Sequence, residues 1–295
     1  MTLSLENYTA FRPNQPSQSI ATQLNVALAT EGDVEIVTEP ISELVNEPLT
    51  HARILWEPIT GTVTATGTDG ALAGNDYTFQ RWALGATTGT WTIQTAADAD
   101  VDTVFIAAHS LAGATILIQT AATAGGAFTT RATITPTDNS TIAAMFNNAG
   151  SAYVVREVRV SISGAPETAT VGIIRAGKAL QMQQAVFGGI QPIGLTRAVE
   201  TRHSMSETGQ WLGRTIQRQA RRTSMPWAHL TAAWYRANFE PFSLALPQTP
   251  FGLVQNPAKM PESVAWCWTD QTPQPENMGI KDLMSVTLDI TGFLE

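Results

Sequence analysis

The chain has 295 residues, 43% of them hydrophobic and 14% charged, well under the ~25% charged fraction of ordinary domains, and this weakly charged surface of Thr, Ala, Gly, Ser and Gln suits a crowded assembly better than a free enzyme. The net charge of −8 is uneven: residues 1–170 carry 6 Lys+Arg against 16 Asp+Glu, residues 171–295 carry 11 against 9, and neither half is basic enough for a nucleic-acid binder. A single cysteine, Cys267, excludes an intrachain disulfide and a cysteine-built zinc site, and its apolar neighbours Val264-Ala265-Trp266 and Trp268 predict a buried, inert thiol.

Residues 1–50 read as an arm. Phe11-Arg12-Pro13-Asn14-Gln15-Pro16-Ser17 is a turn-rich spacer, and an acidic stretch runs from Glu31 to Glu47, where Val34, Ile36 and Thr38 alternate with Glu35 and Val37 and permit a short strand. The start lacks the basic and apolar runs of a signal peptide, and no window reaches the ~20 apolar residues of a spanning helix. The expectation is therefore a soluble protein made in the cytoplasm.

From Ile59 the pattern is β. Thr62 to Thr66 stops at the turn signal Gly67-Thr68-Asp69-Gly70, and Trp91 to Gln94 stops at Asp98-Ala99-Asp100. Val104 to Ala107, Thr115 to Thr120, Phe128 to Ile134, Val158 to Ile162 and a strand holding Ile173-Ile174 follow. Short strands at this spacing, with turn residues between them, predict an antiparallel β-sandwich over 51–178. Residues 179–295 hold five of the eight Trp and read as a smaller β module with one helix. The helix is expected over Pro226–Phe239, with Ser224 as N-cap, Pro226 in the first turn and Pro241 closing it. Strands are expected at Phe251–Val254, Val264–Trp268 and Met284–Ile290.

Candidate chemistry is sparse. Ala108-His109-Ser110-Leu111-Ala112 resembles a nucleophile elbow, but alanines replace both glycines, and the β-branched run from Thr115 follows where a helix must begin. Ser110 is accordingly read as the end of a strand. His51, His109, His203 and His229 form no local metal pair. Asp98, Asp100 and Asp102 have calcium-loop spacing without the glycine or closing Glu of an EF-hand, so a solvated turn is preferred to a cation site. No catalytic, cofactor-binding or metal-ligating residue is assigned. Arg214, Arg218, Arg221 and Arg222, interleaved with Trp211 and Ile216, are the candidate partner interface, since arginine pairs with carboxylates and stacks on rings. As a strand this run would place Arg214, Arg218 and Arg222 on one face. Trp56, Tyr77, Phe79, Trp82 and Trp91 are candidates either for a sugar-binding groove or, preferentially, for the core.

Two stretches resemble the tail-associated virion proteins of tailed bacteriophages. From Tyr77 to Gly177 the carriers are Trp82, Val101-Asp102-Thr103-Val104-Phe105-Ile106-Ala107-Ala108-His109-Ser110-Leu111 and Val158 to Gly164, similar to a discoidin-like (galactose-binding-like, jelly-roll) sandwich. Ala108 and Ser110 depart from the Gly and Asn of that family's run. From Ile173 onward, Gly177 to Met182, Met205 to Arg214, Ala233 to Phe242, Pro250-Phe251, Trp266-Cys267-Trp268 and Met284-Ser285-Val286 are similar to the same group. The resemblance implies a non-enzymatic virion protein, a tail or tail-adaptor component that forms a symmetric homo-oligomeric ring and anchors neighbouring tail proteins or fibres. It implies a place in the virion, with no cofactor, nucleic-acid or membrane partner. The alternative is a receptor-recognition protein that binds a host surface glycan on the sandwich.

Overall fold

The computed structural model describes residues 2–4, 51–146, 152–186, 189–279 and 282–294. The arm over 1–50, its acidic stretch included, lies outside the described residues except for strand β1, Thr2–Ser4. The fold is mainly antiparallel β, as expected, built as three stacked sheets.

The first sheet has the order β3-β5-β10-β7-β8, made of β3 (Gly61–Ala65), β5 (Thr88–Val101), β10 (Tyr153–Ser163), β7 (Thr115–Ala121) and β8 (Thr129–Ile134). The second runs β1-β9-β6-β11-β4, with β9 (Ile142–Met145), β6 (Thr103–His109), β11 (Thr170–Gly177) and β4 (Trp82–Ala83). Strands that alternate in sequence also alternate in burial: in β10, Val158, Val160 and Ile162 face inward while Arg159 and Ser161 do not. Together with Trp82, Trp91, Val104, Ile106, Ile116 and Ile118 they fill one sandwich core. The expected turn at Asp98–Asp100 is absent. β5 continues through it, with residues 95–98 bulged out opposite Arg156 of β10. Arg156 reaches into that bulge and donates to the carbonyls of Thr95 (3.0 Å) and Ala96 (3.0 Å), which the bulge takes out of the ladder with β10.

The third sheet has the order β12-β2-β15-β16-β18-β14-β13, with β17 also on β18. Its members are β2 (Arg53–Leu55), β12 (Leu180–Gln181), β13 (Ala198–Met205), β14 (Trp211–Thr231), β15 (Phe251–Asn256), β16 (Met260–Trp268), β17 (Pro275–Asn277) and β18 (Leu283–Gly292). One face, with Met225, Trp227, Leu253, Cys267, Leu288 and Ile290, packs against a helical segment through Tyr235, Phe239 and Phe242. Phe242 stands edge-on to both Phe239 (5.4 Å) and Phe251 (5.3 Å), a favoured aromatic geometry. Cys267 is buried there, as expected. The other face meets the sandwich: Leu55, Val254 and Val264 pack on Phe105, Ala143 and Met145, and Trp266 packs on Ala107 and Ile173. A Cβ at Gly252 would lie 2.5 Å from the Phe105 ring, so glycine is what lets the layers close.

The helix is displaced from its expected position. β14 runs to Thr231, and Pro226 and Trp227 are strand residues paired with Thr287 and Val286. Period 2 wins over period 3.6 here, with residues 221, 223, 225 and 227 buried and those between them exposed. The segment then turns α-helical over Ala232–Trp234, π-helical over Tyr235–Phe239 and α-helical over Glu240–Ala245. Thr231, not Ser224, caps it, its hydroxyl accepting from the Trp234 N–H at 3.3 Å. Pro241 does not end the helix. Its ring would clash with the carbonyl four residues back, and the widened turn just ahead, where the Glu240 N–H reaches the Tyr235 carbonyl, accommodates it.

Candidate functional site

The hydrolase-like run is a closed structure. Ser110 leads into a tight turn and then β7, and its hydroxyl accepts from the Thr170 N–H at 2.9 Å. Buried His109 accepts from the Leu111 N–H through Nδ1 (3.2 Å), so its Nε2–H donates to the Ser140 carbonyl (2.9 Å). Burial pushes its pKa down to about 4. Both ring nitrogens are committed to backbone, and neither is offered to Ser110 as a base.

The three aspartates do not converge. Asp98 lies 3.9 Å from Arg156, Asp100 3.1 Å from Lys178, and Asp102 is buried and accepts from the Ala179 N–H (2.8 Å) and the Thr103 hydroxyl (2.8 Å). Burial pushes the Asp102 carboxyl upward, against those two hydrogen bonds. Among the described residues no three His, Cys, Asp or Glu side chains are grouped to hold a metal.

The aromatic candidates separate by burial. Trp82 and Trp91 are core, with the Trp91 indole N–H donating to the Gly70 carbonyl at 3.1 Å, and half-buried Trp56 packs near Phe242 (6.1 Å). Tyr77 and Phe79 are different. They are 58% and 76% exposed, with ring centroids 5.7 Å apart and planes tilted by 43°.

The loop that carries this pair joins a 3-10 turn, Gly70–Gly74, to β4. Asn75 begins it with an Asx turn, its side-chain oxygen accepting from the Tyr77 N–H at 2.8 Å, and its amide bonds to Gln80. Arg175 of β11 clamps the loop from below, pairing with Asp76 at 2.6 Å and bonding to the Gly74 carbonyl. Gly172 allows a close approach: a Cβ there would lie 3.0 Å from the Thr78 carbonyl. Arg81 completes the loop and donates to the Thr170 hydroxyl at 3.3 Å. Two apolar faces thus stand in water on a pinned scaffold, bordered by the amides of Asn75 and Gln80, the Arg81 guanidinium and the Thr170 hydroxyl. Such a platform offers ring faces for stacking beside directional donors and acceptors. Sequence reading found Tyr77 and Phe79 but missed the polar border, whose signal was only a run of Asn, Asp, Thr and Gln around two aromatics.

The arginine set is dispersed. Arg221 is not a surface residue: it is buried, and its Nη1 donates to the Gly194 carbonyl at 2.6 Å. Arg218 is exposed and ion-paired with Glu200, whose carboxyl it holds below the ordinary range. Arg214 and Arg222 are exposed. Arg214 is paired in register with His203 and Arg218 with Glu200, three residues apart on β13, so a bulge puts Arg214 and Arg218 on opposite faces rather than one.

No family model and no curated protein matches the chain. Several solved structures do. The chitosan-binding module 1 of a chitosanase/glucanase from Paenibacillus sp. IK-5 is 21% identical, covering 40% of this chain and 96% of that one, at a TM-score of 0.35. The family 32 carbohydrate-binding module of C. perfringens NanJ, in complex with galactose, is 13% identical, covering 42% and 98%, at 0.34. The corresponding module of AlyQ, in complex with 4,5-unsaturated mannuronic acid, is 16% identical, covering 41% and 96%, at 0.34. At these scores the likeness assigns no ligand to this chain.

Proposed function

We propose that this protein is a non-catalytic glycan-binding chain that takes a saccharide on the Tyr77–Phe79 platform. The carrying observation is the exposure of two neighbouring aromatic rings on a loop otherwise pinned by Arg175, Asp76 and Asn75. A rigid loop left with an uncovered apolar surface is better explained by a ligand than by folding, because packing the rings inward would have been stabilising by roughly 2 kcal/mol each. The C–H faces of a sugar ring suit the aromatic faces, and its hydroxyls suit Asn75, Gln80 and Arg81. A glycan array followed by titration calorimetry tests this. Tyr77→Ala combined with Phe79→Ala is expected to weaken binding at least tenfold while shifting stability by less than about 0.5 kcal/mol, as surface changes do. An array without hits, or binding that survives the double substitution, refutes the platform.

A structural role in a tailed-phage virion, as a tail or tail-adaptor component, is the second reading we propose. It is supported by the resemblance of residues 173–295 and favoured by one observation: β13 and the first half of β14 form a ribbon that extends past the sheet. Antibody labelling of virions tests it, with decoration of the tail expected. The two readings are compatible in a tail protein that touches the host surface.

A further inference from the structure

Arg81 stands apart from the other arginines of the sandwich. The guanidinium carbon of Arg131 lies 3.7 Å from the centroid of the Tyr153 ring, and that of Arg159 lies 3.5 Å from the Phe128 ring. Arg156 donates to strand carbonyls beside Asp98, and Arg175 is ion-paired with Asp76. Each has a carboxylate or an aromatic face set against its charge. Arg81 has neither. It is exposed, its hydrogen bond goes to the neutral Thr170 hydroxyl, and among the described residues no carboxylate pairs with it.

This uncompensated cation borders the Tyr77–Phe79 platform. Arg81 is two residues beyond Phe79, which keeps their backbones within ~7 Å, inside the span of a short saccharide. The loop does not supply the missing charge. Its own carboxylate, Asp76, is taken by two nitrogens of Arg175 at 2.6 and 3.2 Å, and Asn75 and Gln80 are neutral amides. The guanidinium is also tethered. Thr170, which accepts from it at 3.3 Å, is fixed in β11 by pairing with Ala83 and by its N–H to the Ser110 hydroxyl. A surface ion pair is ordinarily worth little, because two long side chains must be ordered to form it. Here one partner is held in advance, and a sugar stacked on the rings brings the other without a second ordering cost. A sugar hydroxyl would meet this guanidinium with a neutral hydrogen bond, an oxyanion with a charge-assisted, two-point one.

We propose that the platform selects acidic saccharides: the two rings stack on the sugar, and the Arg81 guanidinium takes a carboxylate or sulfate that the sugar carries. This rests on the glycan-binding reading and narrows it to a ligand class.

Titration calorimetry with matched pairs tests it. Oligosaccharides of galacturonate, mannuronate and glucuronate are compared with their methyl esters, and sulfated galactan oligosaccharides with their desulfated forms. The full chain is expected to bind the charged member of at least one pair about tenfold tighter than its neutral counterpart; the pair that responds separates carboxylate from sulfate. Arg81→Gln keeps a donor and removes the charge, and is expected to bring that ratio to about two or less. Tyr77→Ala with Phe79→Ala is expected to weaken both members together. Loss of folded protein lowers both members equally, so the ratio reports the charge and not the fold. Neutral sugars bound as tightly as charged ones, or a preference that survives Arg81→Gln, overturns the proposal and leaves the glycan reading standing. So does a chain that ignores every charged probe yet binds a neutral glycan of the array. An array without hits removes both readings.

Discussion

His109 sits between two backbone groups that demand its neutral form, the Leu111 N–H on one nitrogen and the Ser140 carbonyl on the other. Protonation would force a hydrogen onto Nδ1 and break the first contact. With a folded pKa of about 4 against 6.5 for a free imidazole, the unfolded chain binds the extra proton between those values. Stability is then complete above pH 6.5 and falls as pH drops toward 4, by about 3 kcal/mol from this residue alone. Urea denaturation at pH 7 and pH 4.5 is expected to show the drop, and His109→Gln is expected to flatten it; equal slopes in both proteins would exclude His109 as the source. Its neighbour Ala108 takes φ 54, a left-handed backbone that glycine adopts without a Cβ clash. Ala108→Gly is expected to raise stability by up to ~1 kcal/mol, relief of strain of 1–2 kcal/mol offset by backbone entropy, and a lower midpoint in the same titration would contradict this. None of this was visible in the residues alone, which mark Ala108 only as a poor elbow.

At the scale of elements, strands with strict alternation were legible and those without it were not. β10 and β7 have one buried and one half-buried face, and their sequences say so. β13 and the outer half of β14 carry large apolar residues without a strict alternation, because register shifts between Glu200 and Thr201 and between Ser204 and Met205 break the period of two. The helix was misplaced because Trp227, Leu230 and Trp234 have helical spacing; a register shift between Trp227 and Leu230 lets both be buried on β14, which pairs with β18 through Leu230 and Thr231. The boundary then falls on Thr231, whose hydroxyl meets the Trp234 N–H and the Gln183 amide. Thr231→Ala is expected to cost about 1 kcal/mol in chemical denaturation, with Thr231→Ser recovering most of it. A loss no larger than that of an exposed strand threonine would mean the cap contributes little.

For the whole molecule, the decisive element is β6, whose seven residues are all buried. Val104 and Ile106 enter the sandwich core while Phe105 and Ala107 meet the third sheet. One strand thus belongs to two cores, and the layers are expected to unfold together. Scanning calorimetry is expected to show a single transition, and Trp266→Ala, which opens a cavity against Ala107 and Ile173, is expected to lower that one midpoint with a loss of about 3–5 kcal/mol. Two separated transitions, with only one moved by the substitution, would contradict shared folding. The sequence by itself determined the β class, the inward-facing alternation of the sandwich strands, the burial of Cys267 and the failure of the Ser110 elbow, because each follows from local residue order. Only the tertiary structure decided that Trp82 and Trp91 are core while Tyr77 and Phe79 stand in water, that Arg221 is buried, and that Arg214 and Arg218 face opposite ways. Exposure and face depend on which layer covers a strand and where its partner bulges, and neither is written in the spacing of one chain's residues.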